Sequence, residues 1–285
     1  MQPKSPLESP HRVEDDLPPD SVLFGRSDVM QNLKRKLSRV CQTSIPVSLQ
    51  GEMCTGKRVL CRFIHQHSAI SAGRRMLPLN CSALSDWSGQ ILFNAALKSS
   101  TVIADTSAGG PRDASISTLF LNRVCDLPSN LQLKLSHLLA DYDWNTKREE
   151  SPAAVRILCT STQDLRKEVR RGRFRRDLFD RVAVVTIEVP PLRKRLADLP
   201  EIIEYLGLRY AWQGDAAAYF PPDLLERMMA YSWPGNLCEL ESFVRRHIAL
   251  KGDCSTPLHH APETPRDPAW DWNWLMTTAA SKRKM

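Results

Sequence analysis

The chain has 285 residues, 42% of them hydrophobic, which is enough for one large domain or a domain with a subdomain and excludes wholesale disorder. Its 39 Lys and Arg against 32 Asp and Glu give +7, unevenly spread: residues 1–24 carry −3, residues 251–285 carry +1, and the body carries +9, a balance that suits polyanions such as nucleic acid or nucleotide phosphates. The eight cysteines form no C-x-x-C pair and no zinc-like grouping, no apolar run reaches the roughly 18–20 residues of a membrane span, and the acidic N-terminus is not a signal peptide, so a metal site is not expected and the thiols read as reduced and cytoplasmic.

Taken in chain order, residues 1–20 contain five prolines and almost no apolar periodicity and read as a disordered lead-in. Ser27 is placed to cap a helix running to about Val40, Pro46 to Gln50 reads as a strand, and Arg58 to His67 as a helix. Further strands are expected at Met76–Leu79, Thr101–Ala104, Thr118–Leu121, Val155–Cys159 and Val184–Val189. Helices are expected at Asn130–Ala140, Gln163–Arg170, Asp198–Trp212, Pro222–Tyr231 and Asn236–Leu250. Strands alternating with helices, then helices alone after Pro190-Pro191, predict a three-layer α/β core with a parallel sheet (residues 21–190) followed by a small all-α subdomain (191–250). Residues 251–285 form a proline-broken tail ending in Trp270, Trp272, Trp274 and a Lys-Arg-Lys cluster. It reads first as solvated, with docking of the tryptophans on a partner as the sharper alternative.

Gly51-Glu52-Met53-Cys54-Thr55-Gly56-Lys57 matches G-x-x-x-x-G-K directly after a strand and at a helix start, as a phosphate loop requires. Backbone N–H groups and the helix N-terminus then face phosphate oxygens, and Lys57 reaches the β and γ positions. The Ser or Thr that commonly ligates Mg²⁺ after the lysine is Arg58.

From Gly25 to Leu250 the chain resembles the AAA+ ATPase domain of bacterial sigma-54-dependent transcriptional activators. The resemblance rests on Phe24-Gly25-Arg26-Ser27, the phosphate loop, Asn80-Cys81, Thr118-Leu-Phe-Leu121, Leu127-Pro128 with Leu131-Gln132, Gly172-Arg-Phe-Arg175 with Asp177-Leu178, Pro190-Pro-Leu-Arg193 with Arg195, and Trp233-Pro-Gly-Asn236 with Glu239-Leu240-Glu241. It implies a P-loop AAA+ core with a helical lid, ATP as ligand, ring assembly, and remodelling of the sigma-54 polymerase.

The departures from the family pattern fall on the chemical positions. The strand Thr118–Leu121 should run into Asp-Glu, one carboxylate for Mg²⁺ and one to polarise water, and it runs into Asn122 and Arg123. An arginine cannot accept a proton from water at physiological pH, and general-base help is worth about 10²–10⁴-fold, so hydrolysis is expected to be lost. The sensor asparagine aligns with Thr162 and the lid's sensor arginine with Cys238, which is read as a packing residue on a helix face with Leu237, Leu240, Val244 and Ile248. ATP is therefore expected to bind weakly or not at all, and Mg²⁺ has little to hold it. The G-A-F-T-G-A signature that contacts the polymerase is replaced between Phe93 and Thr118, so no handle on sigma-54 is evident. No helix-turn-helix follows residue 251, so no specific DNA-binding module is expected.

Arg175 and Arg181 do match the arginines that in the family reach a neighbouring subunit's nucleotide, although Arg166, Lys167, Arg170, Arg171, Arg173 and Arg176 around them would also make a solvated basic surface. Loss of cis-acting groups with retention of trans-acting ones predicts a regulatory subunit that assembles with itself or with an active AAA+ paralogue. The alternatives are a slow but genuine ATPase using Lys57, Asn122 and the two arginines, and a decayed copy without function.

Overall fold

The computed structural model describes residues 17–68, 75–85, 88–89, 93, 116–140, 155–210 and 220–250. Both tails, with Trp270, Trp272 and Trp274, the expected strand Thr101–Ala104, and most of the segment where the polymerase-contacting signature would fall lie outside the described residues. Two compact units emerge: one runs Asp28–Arg195, and the other joins residues up to Ser27 to those from Leu196 on. The expectation from sequence put 21–190 in the core and 191–250 in the lid, so the division falls a few residues later and Gly25–Ser27 groups with the helical unit.

The larger unit opens with helix α2 (Asp28–Cys41), after the single turn α1 (Asp20–Leu23) of the other unit. Met30, Leu33, Leu37 and Cys41 recur at helical spacing along α2 and are buried. Strand β1 (Val47–Gln50) and helix α3 (Lys57–Gln66) flank the glycine-bounded loop, and β2 (Arg75–Asn80) and β3 (Ile116–Asn122) follow. Helix α4 (Ser129–Ala140), strand β4 (Arg156–Ser161), helices α5 (Leu165–Arg170) and α6 (Arg176–Val182), and strand β5 (Val185–Glu188) complete it. The strands pair in parallel in the order β2-β3-β4-β1-β5.

Burial follows that order. The inner strands β3, β4 and β1 are almost wholly buried, as a parallel sheet covered on both faces demands, whereas the outer strands leave Arg75, Pro78 and Asn80 of β2 and Thr186 and Glu188 of β5 exposed. Pro78, which has no N–H to donate, sits in outer strand β2. One core cluster joins Leu119 and Leu121 of β3, Ile157 and Cys159 of β4, Leu131, Leu135 and Leu139 of α4, and Leu178 and Val182 of α6, each worth about 1.5–3 kcal/mol where a large side chain is buried. Arg156 breaks this apolar pattern. It is 1% exposed at the start of β4, and its guanidinium donates to the Val40 carbonyl (2.9 Å) and the Ser68 hydroxyl (3.3 Å), tying the ends of α2 and α3 to the sheet. Burial lowers its pKa to about 10.

In the other unit α7 (Leu199–Arg209) buries Ile202, Ile203 and Leu206, and packs on α9 (Asn236–Ala249), which buries Leu240, Phe243 and Val244. Helix α8 (Pro222–Ala230) contributes Met228, whose carbonyl accepts the indole N–H of fully buried Trp233 at 2.9 Å. Tyr210 donates its hydroxyl to Glu241 at 2.5 Å, and burial raises the pKa of that carboxyl. Asp198, 1% exposed, accepts from the Arg26 N–H (2.8 Å), the Ser27 N–H (2.7 Å) and the Ser27 hydroxyl (2.7 Å). These bonds are why Gly25–Ser27 belongs with this unit. Gly25 has φ +53°, and a Cβ there would lie 2.2 Å from the Asp198 carboxyl carbon.

Candidate functional site: the phosphate loop and the strand ends beside it

The loop from Gly51 to Gly56 leaves β1 and enters α3 at the C-terminal edge of the sheet, the edge at which open parallel sheets bind ligands. Gly51 has φ +151°, and a Cβ on it would come within 2.5 Å of the Val189 carbonyl, so no other residue fits without moving the backbone after β5. Cys54 (φ +58°) and Gly56 (φ +94°) are also left-handed, which curls the loop back over the start of α3. Met53 is exposed, while Thr55 is buried and donates its hydroxyl to the Glu52 carbonyl at 3.0 Å. A turn at Leu192–Lys194 and the arginines beside it brace the loop. Arg193 forms a two-pronged pair with Glu52 (2.5 and 2.8 Å), and buried Arg195 donates to the Thr55 carbonyl (3.3 Å).

Lys57 is 8% exposed, and its ammonium donates to the carbonyls of Gly51 (2.8 Å) and Glu52 (2.5 Å). Burial pulls its pKa down to about 8, with Cys61 and Glu52 opposing the shift. The cradle fits phosphate: a curled glycine loop, a helix N-terminus, and a poised cation that a phosphate can draw away from the carbonyls. Arg58 follows in the first turn of α3 and is half-buried.

Next to the loop lie the ends of β4 and β3, joined to it through the Gly51 N–H, which donates to the Ser161 carbonyl at 3.2 Å. Asn122 is the last residue of β3, and its Oδ1 accepts the hydroxyl of Thr160 at 2.8 Å. The Thr160 oxygen in turn accepts the Arg123 N–H at 3.1 Å. Arg123 has φ +58°, and its Nε donates to Asp126 at 2.6 Å. Thr162 lies two residues further on and half-buried, so the threonine bonded to the strand-end asparagine is Thr160, a residue that motif alignment passes over. Ser161 and Cys125 also meet here, Sγ to Oγ 3.0 Å. Burial pushes the Cys125 thiol up to about 11, so it stays protonated at neutral pH.

Arg175 is the residue before α6, and Arg181 lies in the last turn of that short helix. Arg175 precedes its first turn, with its N–H on Gln132 (2.9 Å) and its guanidinium on both Asp177 oxygens (3.0 and 2.9 Å), which holds the Asp177 carboxyl down at about 2. Buried Gln132 also donates to the Leu127 and Arg173 carbonyls (2.8 and 3.2 Å), so one amide sets the backbone leading into Arg175. The Arg181 Nε is buried with no hydrogen-bond partner among the described residues. Of the six surrounding cations, Arg171 and Arg173 are spent on Glu168 and Arg176 faces Asp180 at 3.4 Å, so half of them are paired within this segment. Cys238 lies half-buried in the first turn of α9.

Among the described residues no group of three or more His, Cys, Asp or Glu could hold a metal ion, and no helix is long and apolar enough to cross a membrane. Cys41, Cys61, Cys81, Cys125 and Cys159 are free thiols.

Comparison with known proteins places this geometry. Residues 23–188 match the sigma-54 interaction domain and residues 193–269 the AAA+ ATPase lid domain. The chain is 33% identical to the DNA-binding transcriptional regulator NtrC of Rhizobium meliloti over 248 residues, 86% of this chain and 51% of that protein. It is 34% identical over 249 residues to the response regulator PilR of Pseudomonas aeruginosa, 86% of this chain and 56% of that protein. The chain thus spans about half the length of these relatives. Among solved structures, NtrX from Brucella abortus in complex with ATP superposes with a TM-score of 0.63 at 28% identity, over 87% of this chain and 57% of that one. The replication initiator DnaA, at 15% identity and TM-score 0.52 over 84% of this chain and 67% of its own, shares the fold alone. The chain belongs to the sigma-54 interaction domain family, an AAA+ α/β core followed by a helical lid.

Proposed function

We propose that this chain is a nucleotide-binding subunit that regulates transcription without hydrolysing ATP, and that it works by assembling with a catalytically intact relative. The observation that carries the reading is the contrast between a well-formed phosphate cradle and the strand end beside it, where Arg123 replaces the water-activating carboxylate and its guanidinium is turned to Asp126. A bound nucleoside triphosphate would supply a charged γ-phosphate to be held, not split. The Gly51–Gly56 backbone and Lys57 grip it, while Asn122 and Thr160 offer neutral hydrogen bonds and no general base. Arg175 and Arg181 support the partnership: one precedes and the other closes the same short helix, and the Arg181 Nε lacks a hydrogen-bond partner among the described residues. In a ring, alone or with an active paralogue, they would complete a neighbour's site from outside, and polymerase contact would fall to the partner.

Steady-state phosphate release tests the loss of hydrolysis. No turnover above background is expected, and turnover that disappears in Lys57→Ala would overturn it. Mixing with an active paralogue tests the partnership. The paralogue's rate should change, and the change should be lost with Arg175→Ala and Arg181→Ala; an unaltered rate with the parent chain removes the proposal.

A further inference from the structure

The phosphate loop fits a nucleotide, but among the described residues the two positions that usually hold the accompanying divalent cation do not suit one. Mg²⁺ in a phosphate-loop site is held by the hydroxyl following the lysine and by a carboxylate at the end of a neighbouring strand. It keeps much of its water and binds through one or two carboxylates plus the substrate's phosphates. Here the first position is Arg58. The second is Asn122, a neutral amide that brings no negative charge and whose Oδ1 shares its lone pairs with the Thr160 hydroxyl at 2.8 Å. The two carboxylates nearest in the chain are both committed to guanidiniums, Glu52 to Arg193 and Asp126 to Arg123. A dication placed beside Lys57 and Arg58 would meet their charges with Glu52 and Asp126 already paired to guanidiniums.

The same exchange supplies what an ion-free nucleotide lacks. A polyphosphate stripped of Mg²⁺ carries more negative charge and leaves its β and γ oxygens open, and a guanidinium satisfies two such oxygens at once with a geometry that an ammonium cannot offer. We propose that this site takes a nucleoside polyphosphate free of divalent cation, with Arg58 and Lys57 providing the positive charge that Mg²⁺ provides elsewhere. The inference rests on the reading of the chain as a nucleotide binder and goes beyond it by naming the ionic form of the ligand.

Calorimetric titration of ATP into the full chain, in excess EDTA and in excess MgCl₂, tests it. Binding should be tighter in EDTA, and should weaken as Mg²⁺ converts ATP to its magnesium complex. Arg58→Ser should weaken the EDTA binding by about tenfold, the scale of one charge-assisted phosphate contact, with an unchanged circular-dichroism spectrum and melting curve. Electron paramagnetic resonance should find no Mn²⁺ held in the ATP-bound protein. Binding that needs Mg²⁺ and vanishes in EDTA overturns the proposal while leaving nucleotide binding standing, and an Arg58→Ser variant that binds like the parent overturns the role of Arg58. Absence of ATP binding in both media overturns the nucleotide reading itself.

Discussion

Lys57 is an ammonium held in a place that disfavours its charge. Unfolded, it keeps its proton up to about its ordinary 10.5; folded, burial lets it go at about 8. Between those values the unfolded chain binds more protons, so stability must rise with pH across that window and be flat with respect to this group on either side. At about 1.4 kcal/mol per tenfold change in proton affinity, the difference amounts to about 3 kcal/mol. Lys57→Met keeps the volume and removes the titration. The unfolding free energy of the parent minus that of Lys57→Met, from urea curves followed by circular dichroism, should therefore grow by about 3 kcal/mol between about pH 7 and pH 10.5. Cysteines and tyrosines not coupled to Lys57 are common to both proteins and cancel, whereas Cys61, which is coupled to it, stays protonated across this window because burial raises its pKa well above the usual thiol value. A difference that stays flat, or that falls with pH, would refute the burial of the ammonium out of water.

The same proton controls the ligand. Phosphate favours the charged lysine, so ATP affinity should fall above about pH 8; an affinity unchanged from there to about pH 10 would separate Lys57 from binding. In the helical unit, Gly25→Ala forces a Cβ against Asp198 at a positive φ and should cost about 2–4 kcal/mol. A melting temperature within about 1 °C of the parent would contradict that packing. Asp198→Ala removes three hydrogen bonds from a buried carboxylate and should destabilise by about 3 kcal/mol, measured in the same way, with loss of amide-exchange protection at Arg26 and Ser27 as its local mark.

Much of the larger unit was legible because parallel strands covered on both faces need runs of apolar residues, and helices lying on them need apolar residues every third or fourth position. Expected strands at Thr118–Leu121 and Val155–Cys159 and helices at Asn130–Ala140 and Asn236–Leu250 agree with the observed elements to within about two residues. Two short helices, Asp20–Leu23 and Arg176–Val182, were not expected. Each has two turns or fewer and too few positions to show a period. Arg156 was hidden for another reason: an arginine inside an apolar strand pattern gives no sign that Val40 and Ser68, far off in sequence, will receive it.

The candidate site divides along the same line. A phosphate loop is local, since its glycines and lysine act through consecutive backbone and are read from spacing alone. So were the substitutions at Asn122, Arg123 and Arg58, because a side chain's chemistry is fixed by its type: an arginine is neither a base nor a metal ligand wherever it lies. What those residues touch was settled only by bringing distant segments together. Thr160 rather than Thr162 meets Asn122 because β4 lies beside β3 in parallel register, Arg123 turns to Asp126 because the chain leaves β3 through a left-handed residue, and Lys57 loses part of its proton affinity because α3 packs its first turn out of water. Residue identity determines which reactions are open to this chain, while solvent exclusion and non-local hydrogen bonds, which exist only after folding, set the state in which each group waits.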